Sequence, residues 1–163
     1  MDEVAESILF NSAQAGRSLN LAEMNAVVQE CGWTPSGSVA PPGCTRWERS
    51  GVRLNLASWG DGWAFDYIFR EVWPQDVDEL GSEALDSAVE GQLPFCRAVQ
   101  ASLLQALQRR ILVSAEGGEE FDESDFVERT VWNINGSLLA VGISGNDVDT
   151  PALVMARLLT APV

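Results

Sequence analysis

Acidic side chains account for most of the chemistry that this sequence could perform. The chain has 24 Asp and Glu residues against 10 basic residues, and its formal net charge is −14. Seven of the acids fall in residues 71–90 and seven more in residues 116–128, and neither run contains a basic residue. A surface of one sign steers a basic partner and acts mainly on association rate and specificity. The alternative is two solvated faces that keep the protein soluble.

The candidate partner-binding residues come from these two runs and from one turn. Trp59 and Asp61 flank a glycine at the predicted tip between two strands. An exposed Trp beside an acidic surface has the composition of an interface hot spot, whereas turn chemistry and capping of the sheet edge are the alternative explanations. The full candidate set is Trp59, Asp61, Asp76, Asp78, Glu79, Glu116, Glu119, Glu120, Asp122, Glu123 and Asp125.

The residue types that are missing exclude several classes of enzyme. The sequence has no His, and all ten of its basic residues are Arg. Ser-His-Asp and Cys-His catalysis, Schiff-base chemistry and His-ligated metal sites are therefore excluded. A two-carboxylate hydrolase needs no His and stays open, with Asp66 as its best candidate acid because it is predicted near Arg53, Asn55 and Arg70. We predict no catalytic residue, no metal and no cofactor.

The cysteines and the N-terminus indicate a cytoplasmic protein. Cys31, Cys44 and Cys96 are odd in number and form no C-x-x-C motif, so we predict reduced thiols, with Cys31 and Cys96 packed as small apolar residues. A Cys31–Cys44 bridge is the alternative in an oxidising compartment. The start Met1-Asp2-Glu3 is acidic where a secretory signal is basic, and no apolar run approaches the roughly 20 residues of a membrane span.

Residues 45–73 must organise much of the chain, and they predict a three-stranded antiparallel meander. A two-residue turn at Ser50-Gly51 pairs Trp47 with Leu54, and a four-residue loop at 59–62 pairs Leu56 with Phe65. Because strand side chains alternate, this register gives one apolar face and one polar face. The residues predicted on the polar face are Glu48, Arg53, Asn55, Asp66 and Arg70.

Helices and a second hairpin complete the predicted architecture. Asn135-Gly136 predicts a hairpin over residues 130–143 that pairs Trp132 with Leu139. Strand runs segregated from helices predict an α+β fold, with an antiparallel sheet, helices packed on one face and a single domain of residues 1–163. The predicted helices cover residues 20–31, with Asn20 as N-cap and an apolar stripe that includes Met24 and Val28, then 94–110, with Pro94 at its first position, and 150–160. Residues 77–90 show a weakly amphipathic helical pattern that includes Leu80, and residues 2–15 are either a short helix or a frayed terminus. Residues 34–44 are a predicted loop and 111–113 a predicted strand.

The first part of the chain resembles small acidic bacterial immunity proteins, which are encoded beside polymorphic or contact-dependent toxins. The resemblance is carried by Leu21-Ala22-Glu23-Met24 through Gly32-Trp33 and then by Trp47-Glu48-Arg49-Ser50-Gly51. Such proteins often open with a helix that ends in Gly-Trp, continue with Trp-containing hairpins and are strongly acidic. The resemblance is architectural, covers about residues 19–73, and implies a cytosolic protein that binds and blocks a cognate toxin.

The sequence therefore favours a non-enzymatic binding protein, a monomer or homodimer, that occludes the active site of a toxin with a basic surface. The excess of negative charge argues against nucleic acid, because phosphates are bound by clustered cations. A secretion-chaperone-like α+β protein is one alternative, and it would show a large exposed apolar patch and a stable homodimer. A carboxylate hydrolase is the other, and it would show a deep pocket with two close acids.

Overall fold

A computed structural model describes residues 21–36, 43–59, 62–109, 114–115, 126–134, 137–145 and 147–159. The elements are α1 (Leu21–Glu30), β1 (Thr34–Pro35), β2 (Cys44–Arg49), β3 (Val52–Trp59), β4 (Gly62–Val72), α2 (Val77–Leu80), α3 (Ser82–Gln108), β5 (Ser114–Ala115), β6 (Glu128–Ile134), β7 (Ser137–Ser144) and β8 (Ala152–Leu159).

The described strands form one antiparallel sheet of eight strands in the order β1-β2-β3-β4-β8-β7-β6-β5. Strands and helices are segregated along the chain, so the predicted α+β class is confirmed. The sheet is larger than the predicted meander plus hairpin, because β1, β5 and β8 also belong to it. β8 lies between β4 and β7 and joins the meander to the second hairpin through hydrogen-bonded ladders on both of its sides.

The predicted registers of both strand pairs in the meander are confirmed. Trp47 pairs with Leu54, and Leu56 pairs with Phe65. At the first turn, Ser50 and Gly51 both have positive φ angles, 51° and 79°, which a tight turn matched to the twist of the two strands requires. The strands run closer to the second tip than predicted, since β3 reaches Trp59 and β4 begins at Gly62.

The second hairpin and the first helix also agree with the sequence predictions. Trp132 pairs with Leu139 in the ladder between β6 and β7. Helix α1 matches the helix predicted over 20–31. The predicted loop over 34–44 is wrong at its start, where β1 pairs with β2. The predictions outside the described residues are the helix over 2–15, the cap Asn20, the strand over 111–113 and the turn Asn135-Gly136.

The helix predicted over 150–160 is wrong, because this segment is the strand β8. Its sequence, ALVMARLL, consists mainly of residues with high helix propensity, and it lacks the polar–apolar alternation of a half-buried strand. The alternation is absent because both faces of β8 are buried, which is typical of a central strand. Ala156 and Leu158 join one apolar cluster, whereas Met155 and Leu159 join another.

The helical character predicted over 77–90 and 94–110 is confirmed, but the predicted helix start at Pro94 is wrong. The chain breaks instead at Gly81, and α3 runs without interruption through Pro94. A proline inside a helix removes one backbone hydrogen bond and costs about 3 kcal/mol. Packing offsets this cost, since buried residues occur on both sides of the proline. They are Ala84, Ala88, Val89 and Gln92 before it, and Cys96, Leu103 and Leu107 after it.

The main apolar cluster combines helix residues with alternate residues of the strands. Met24 of α1 and Leu103 of α3 are buried together with Leu54, Phe65 and Leu139 of the sheet. A second cluster uses the intervening strand positions, and its buried members are Ala64, Ile68, Phe126, Val131, Ala140, Met155 and Leu159. The sheet is therefore apolar on both faces near its centre, rather than having one wholly wet face.

The three cysteines are free thiols. Cys96 is buried and Cys31 packs against the main cluster, as predicted. Burial raises the pKa of the Cys96 thiol to about 11, and nearby Glu128 adds to the rise. Burial also raises the pKa of Cys44. Both groups are therefore poor sources of thiolate near neutral pH.

Candidate functional site

Two recesses meet at the end of β4, and they differ in how their charges are partnered. The first, which we name the charge-balanced recess, has a volume of about 290 Å³. It lies where the turn between β2 and β3 ends while β4 continues. Its lining residues are Glu48, Gly51, Val52, Arg53, Ile68, Phe69, Arg70 and Glu71.

Every ionised side chain of the charge-balanced recess has a partner within the protein. Arg53 forms an ion pair with Glu71. Ser36 Oγ donates a hydrogen bond to Glu48 Oε1 at 2.6 Å. Arg70 is engaged by two residues of α3, described below. Each of the four side chains therefore contacts another group of the protein, and the two arginines and two glutamates of the lining sum to no net charge.

Arg70 was predicted on the polar face of the meander, and this placement is wrong. Its guanidinium carbon lies 3.7 Å from the centroid of the Phe95 ring, and Nη1 donates a hydrogen bond to Gln92 Oε1 at 3.3 Å. The cause is a shift in the ladder between β4 and β8, which occurs between Ile68 and Arg70. An extra residue in a strand reverses the side-chain alternation after it.

The second recess, which we name the acidic groove, lies between the end of β4 and the first half of α3. Its volume is about 270 Å³. Most of its lining is apolar or small, and Asp76 is the only charged residue in that lining. The lining residues are Val72, Trp73, Gln75, Asp76, Leu80, Ala84, Ser87, Ala88, Gly91 and Gln92.

Local backbone geometry builds the entrance of the acidic groove. Pro74 ends β4 because it cannot donate to the ladder. Asp76 then adopts a left-handed conformation with φ 57°, which Asp tolerates better than most residues. Its carbonyl accepts hydrogen bonds from the backbone N–H groups of Glu79 and Leu80, at 3.0 and 2.9 Å, and so starts the short helix α2. Gly81, with φ 55°, turns the chain into α3.

Trp73 is exposed at the groove and is also held in place. Its residue surface is 53% exposed, and that of Leu80 in the same groove is 44% exposed. The indole Nε1 of Trp73 donates a hydrogen bond to Glu71 Oε1 at 3.0 Å, while Arg53 binds the other oxygen of that carboxylate. Gln75 Nε2 donates to the Trp73 carbonyl at 3.0 Å. A large aromatic surface is thus presented to solvent in a fixed orientation.

The acids around the groove carry charge that the described residues do not neutralise. All seven acids of residues 71–90 are exposed. Glu71 pairs with Arg53, but within the described part of the chain no arginine pairs with the other six. Glu83, Asp86 and Glu90 fall on one side of α3, three and four residues apart, where like charges destabilise a helix by about 0.2–0.5 kcal/mol per pair.

The structure brings one of the predicted binding residues into the groove lining. Asp76 lines it, and Asp78 and Glu79 are exposed on α2 beside it. The backbone of Trp59 ends β3, but its side chain lies outside the described residues. Asp61 and the whole second set, Glu116, Glu119, Glu120, Asp122, Glu123 and Asp125, also lie outside them.

Trp73 and Leu80 are the residues that the sequence prediction missed. One feature of the sequence could have pointed to Trp73. It directly precedes Pro74, which must end the strand, and it lies where the first acidic run begins. The side of the sheet on which Trp73 lies could not be assigned, because β4 ends at Val72 and strand alternation does not extend to the residue after it. Leu80 was counted instead as part of the apolar stripe of the predicted helix over 77–90.

Asp66, the best candidate acid for a hydrolase, is engaged in a two-point ion pair. Arg157 Nε and Nη2 donate to the two carboxylate oxygens of Asp66 at 2.7 and 3.0 Å. The two side chains are only 16% and 18% exposed. The sequence predicts Asp66 near Arg53 and Arg70 of the meander, whereas the arginine that binds it lies on β8. Among the described residues, no cluster of three or more His, Cys, Asp or Glu could hold a metal ion.

Comparisons of this chain with protein-family models, with curated proteins and with solved structures found no match. Of the helices in the described part of the chain, none combines the length and the apolar character needed to cross a membrane.

Proposed function

We propose that this protein is a non-enzymatic binding protein that neutralises a cognate toxin by occluding the toxin's basic active site. The observation that carries the proposal is the acidic groove, where Trp73 and Leu80 are exposed within a run of seven exposed acids. Exposed aromatic anchors surrounded by charge are typical of surfaces that bind proteins, and Trp is enriched among the residues that dominate binding energy.

Electrostatics supports a basic partner. The net charge of −14 produces a long-range field that attracts cationic surfaces and raises their association rate. Toxins that act on nucleic acid need cationic active sites to hold phosphates, so an acidic protein can cover such a site without copying its chemistry. The resemblance to bacterial immunity proteins over about residues 19–73 points to the same function.

The proposal includes a cytoplasmic location, the absence of any cofactor, and a monomer or homodimer that binds neither nucleic acid nor membrane. It also includes an arrangement in which the helices pack on one face of the sheet. Met24 of α1 and Leu103 of α3 support that arrangement, since they share a cluster with Leu54 and Phe65. The other side of the sheet is then left without a described helix, and the acidic groove lies at the end of β4.

The test is affinity capture of tagged protein from its native host at low and at high salt, followed by expression of each captured protein. We expect one stoichiometric basic partner, weakened by salt, that arrests growth when expressed alone and does not when co-expressed with this protein. A matched capture uses a variant with lysine at Asp78, Glu79, Glu83 and Asp86, which should lose the partner. Capture of several unfolded clients by a stable homodimer would contradict neutralisation and favour a secretion chaperone.

A further inference from the structure

We infer that the acidic groove binds an arginine side chain of a protein partner, with the guanidinium stacked on Trp73 and paired with Asp76. Toxin neutralisation identifies the partner, so in that respect the inference rests on the proposed function. The recognition chemistry is argued independently, from the residues that line the groove.

The groove joins an aromatic ring and a carboxylate, which are the two groups that a guanidinium prefers. Trp73 and Asp76 line the same recess, three residues apart on either side of the buried Pro74 and the exposed Gln75. Trp is the best aromatic acceptor of a cation, and an adjacent carboxylate adds charge-assisted hydrogen bonds. Arg matches this pair better than Lys does, because its planar group stacks on rings and is more weakly hydrated.

The hydrogen bonds around Trp73 decide which carboxylate faces the partner. Glu71 uses one oxygen for the Trp73 indole and the other for Arg53, so this carboxylate is already occupied. No arginine among the described residues pairs with Asp76, which is exposed. The bond from Trp73 to Glu71 holds the ring by its N–H group, and stacking uses the face of the ring instead.

The size and lining of the groove favour a side chain over a small molecule. Its volume of about 270 Å³ lies at the lower limit of the roughly 300–1,000 Å³ of most small-molecule sites. Leu80, Ala84 and Ala88 supply an apolar lining along which the methylene stem of an arginine can lie. The exposed acids on α2 and α3 then favour further basic residues next to that arginine in the partner segment.

The test uses fluorine NMR of the full chain labelled with 5-fluorotryptophan, titrated at fixed ionic strength with a short Gly-Arg repeat peptide. The Trp73 resonance is identified as the one that disappears in Trp73→Phe. We expect the Gly-Arg peptide to shift this resonance and to bind more tightly than the matching Gly-Lys peptide. Affinities of the variants are measured by isothermal titration calorimetry, because Trp73→Leu lacks the Trp73 resonance. Trp73→Leu should weaken binding by about 2-fold to 30-fold, the range expected for cation–π contacts.

Asp76→Asn is the second variant, because Asn also tolerates the left-handed conformation at this position. It should weaken binding of the Gly-Arg peptide about as much as Trp73→Leu does. The matched controls are Asp149→Asn and Val127→Ala, which change an exposed acid and an exposed apolar residue elsewhere and should leave binding unchanged. Equal shifts with both peptides, or an equal loss in Asp149→Asn, would overturn the inference.

Affinity measurements with the captured natural partner distinguish this inference from the proposed function. If a toxin is captured and its affinity is the same for wild type, Trp73→Leu and Asp76→Asn, neutralisation stands and the arginine site is overturned. If no toxin is captured but the Gly-Arg peptide binds with the expected dependence on Trp73 and Asp76, the arginine site is supported and the toxin-neutralising function is contradicted.

Discussion

The charge-balanced recess and the acidic groove are neighbours of similar size, yet they use ionised groups in opposite ways. In the first, Glu48, Arg53, Arg70 and Glu71 all bind other residues of the protein. In the second, Asp76 and the acids of α2 and α3 have no cationic partner among the described residues. Partnered charges hold the sheet and helix together, whereas unpartnered charges of one sign are available to another molecule.

Glu71 connects the two recesses, and the connection has a functional meaning. Its carboxylate accepts the Trp73 indole N–H from the groove side and the Arg53 guanidinium from the recess side. A charge-balanced scaffold therefore fixes the orientation of the aromatic residue in the unbalanced groove. Fixing a side chain before binding reduces the entropy that association must remove.

The largest effect is expected at Asp66, an acid whose charge is paired with Arg157 inside the protein. Asp66→Asn removes the charge that balances the largely buried Arg157, and we expect the free energy of unfolding to fall by about 2–4 kcal/mol. Urea denaturation measures it. Asp86→Asn, which changes an exposed acid without a cationic partner in the described chain, should alter stability by no more than about 1 kcal/mol. Equal losses in the two variants would remove the distinction between the two kinds of acid.

Charge reversal tests the acids beside the groove that have no arginine partner among the described residues. With lysine at Asp78, Glu79, Glu83 and Asp86, association with the captured partner should slow by roughly 10-fold to 100-fold and depend less on salt. Stopped-flow kinetics measures the rate, and circular dichroism checks that the fold is intact.

The same reversal at Glu119, Glu120, Asp122 and Glu123 compares the two acidic runs directly. The run whose reversal slows association forms the encounter surface. An unchanged rate for the variant of the first run would place the interface away from the acidic groove. Unfolding of the variant of the second run would show that this run has a structural role.

A smaller effect is expected at Arg53, which binds Glu71 between the two recesses. Arg53→Met removes the cation that holds Glu71, so Trp73 should become more mobile and the partner should dissociate about 2-fold to 10-fold faster, as for one side chain that must be ordered on binding. Fluorine relaxation of the Trp73 resonance and the dissociation rate measure the two consequences. Arg97→Met is the control, since Arg97 and Glu128 form an exposed pair at 3.9 Å away from the groove. Similar effects of both variants would disconnect Glu71 from the ordering of Trp73.

The smallest expected effect measures the repulsion among the acids on α3 beside the groove. Asp86→Asn relieves repulsion from Glu83 and Glu90 on α3, so at low salt we expect helix stability to rise by about 0.2–0.5 kcal/mol per relieved pair. The gain should disappear at high salt because exposed charges are screened. Thermal denaturation at two salt concentrations measures it, and a gain that survives high salt would assign the effect to something other than repulsion.

Local patterns predicted the elements whose determinants are close together in sequence. The Ser50-Gly51 turn and the alternation on both sides of it were sufficient for the register that pairs Trp47 with Leu54. The apolar spacing of Met24 and Val28 was sufficient for α1. In each case the interacting residues are a few positions apart, so turn type and side-chain periodicity determine the geometry.

Patterns failed where distant contacts set the environment. Ala152–Leu159 has the composition of a helix, but its place between β4 and β7 makes it a strand. Pro94 has the signature of a helix start, but packing on both sides of it keeps α3 continuous. The candidate site followed the same rule, because the acidic run was visible in sequence while the exposure of Trp73 was not.

Composition and local sequence patterns establish the sign of the surface charge, the absence of His and Lys chemistry, the α+β class and the two hairpin registers. These properties follow from composition and from interactions over short stretches of chain. Three features become visible only in the folded chain: β8 unites the sheet, Arg157 neutralises Asp66, and Arg53 and Glu71 orient Trp73. Those outcomes depend on residues far apart in the chain, whose contacts exist only once the sheet has formed.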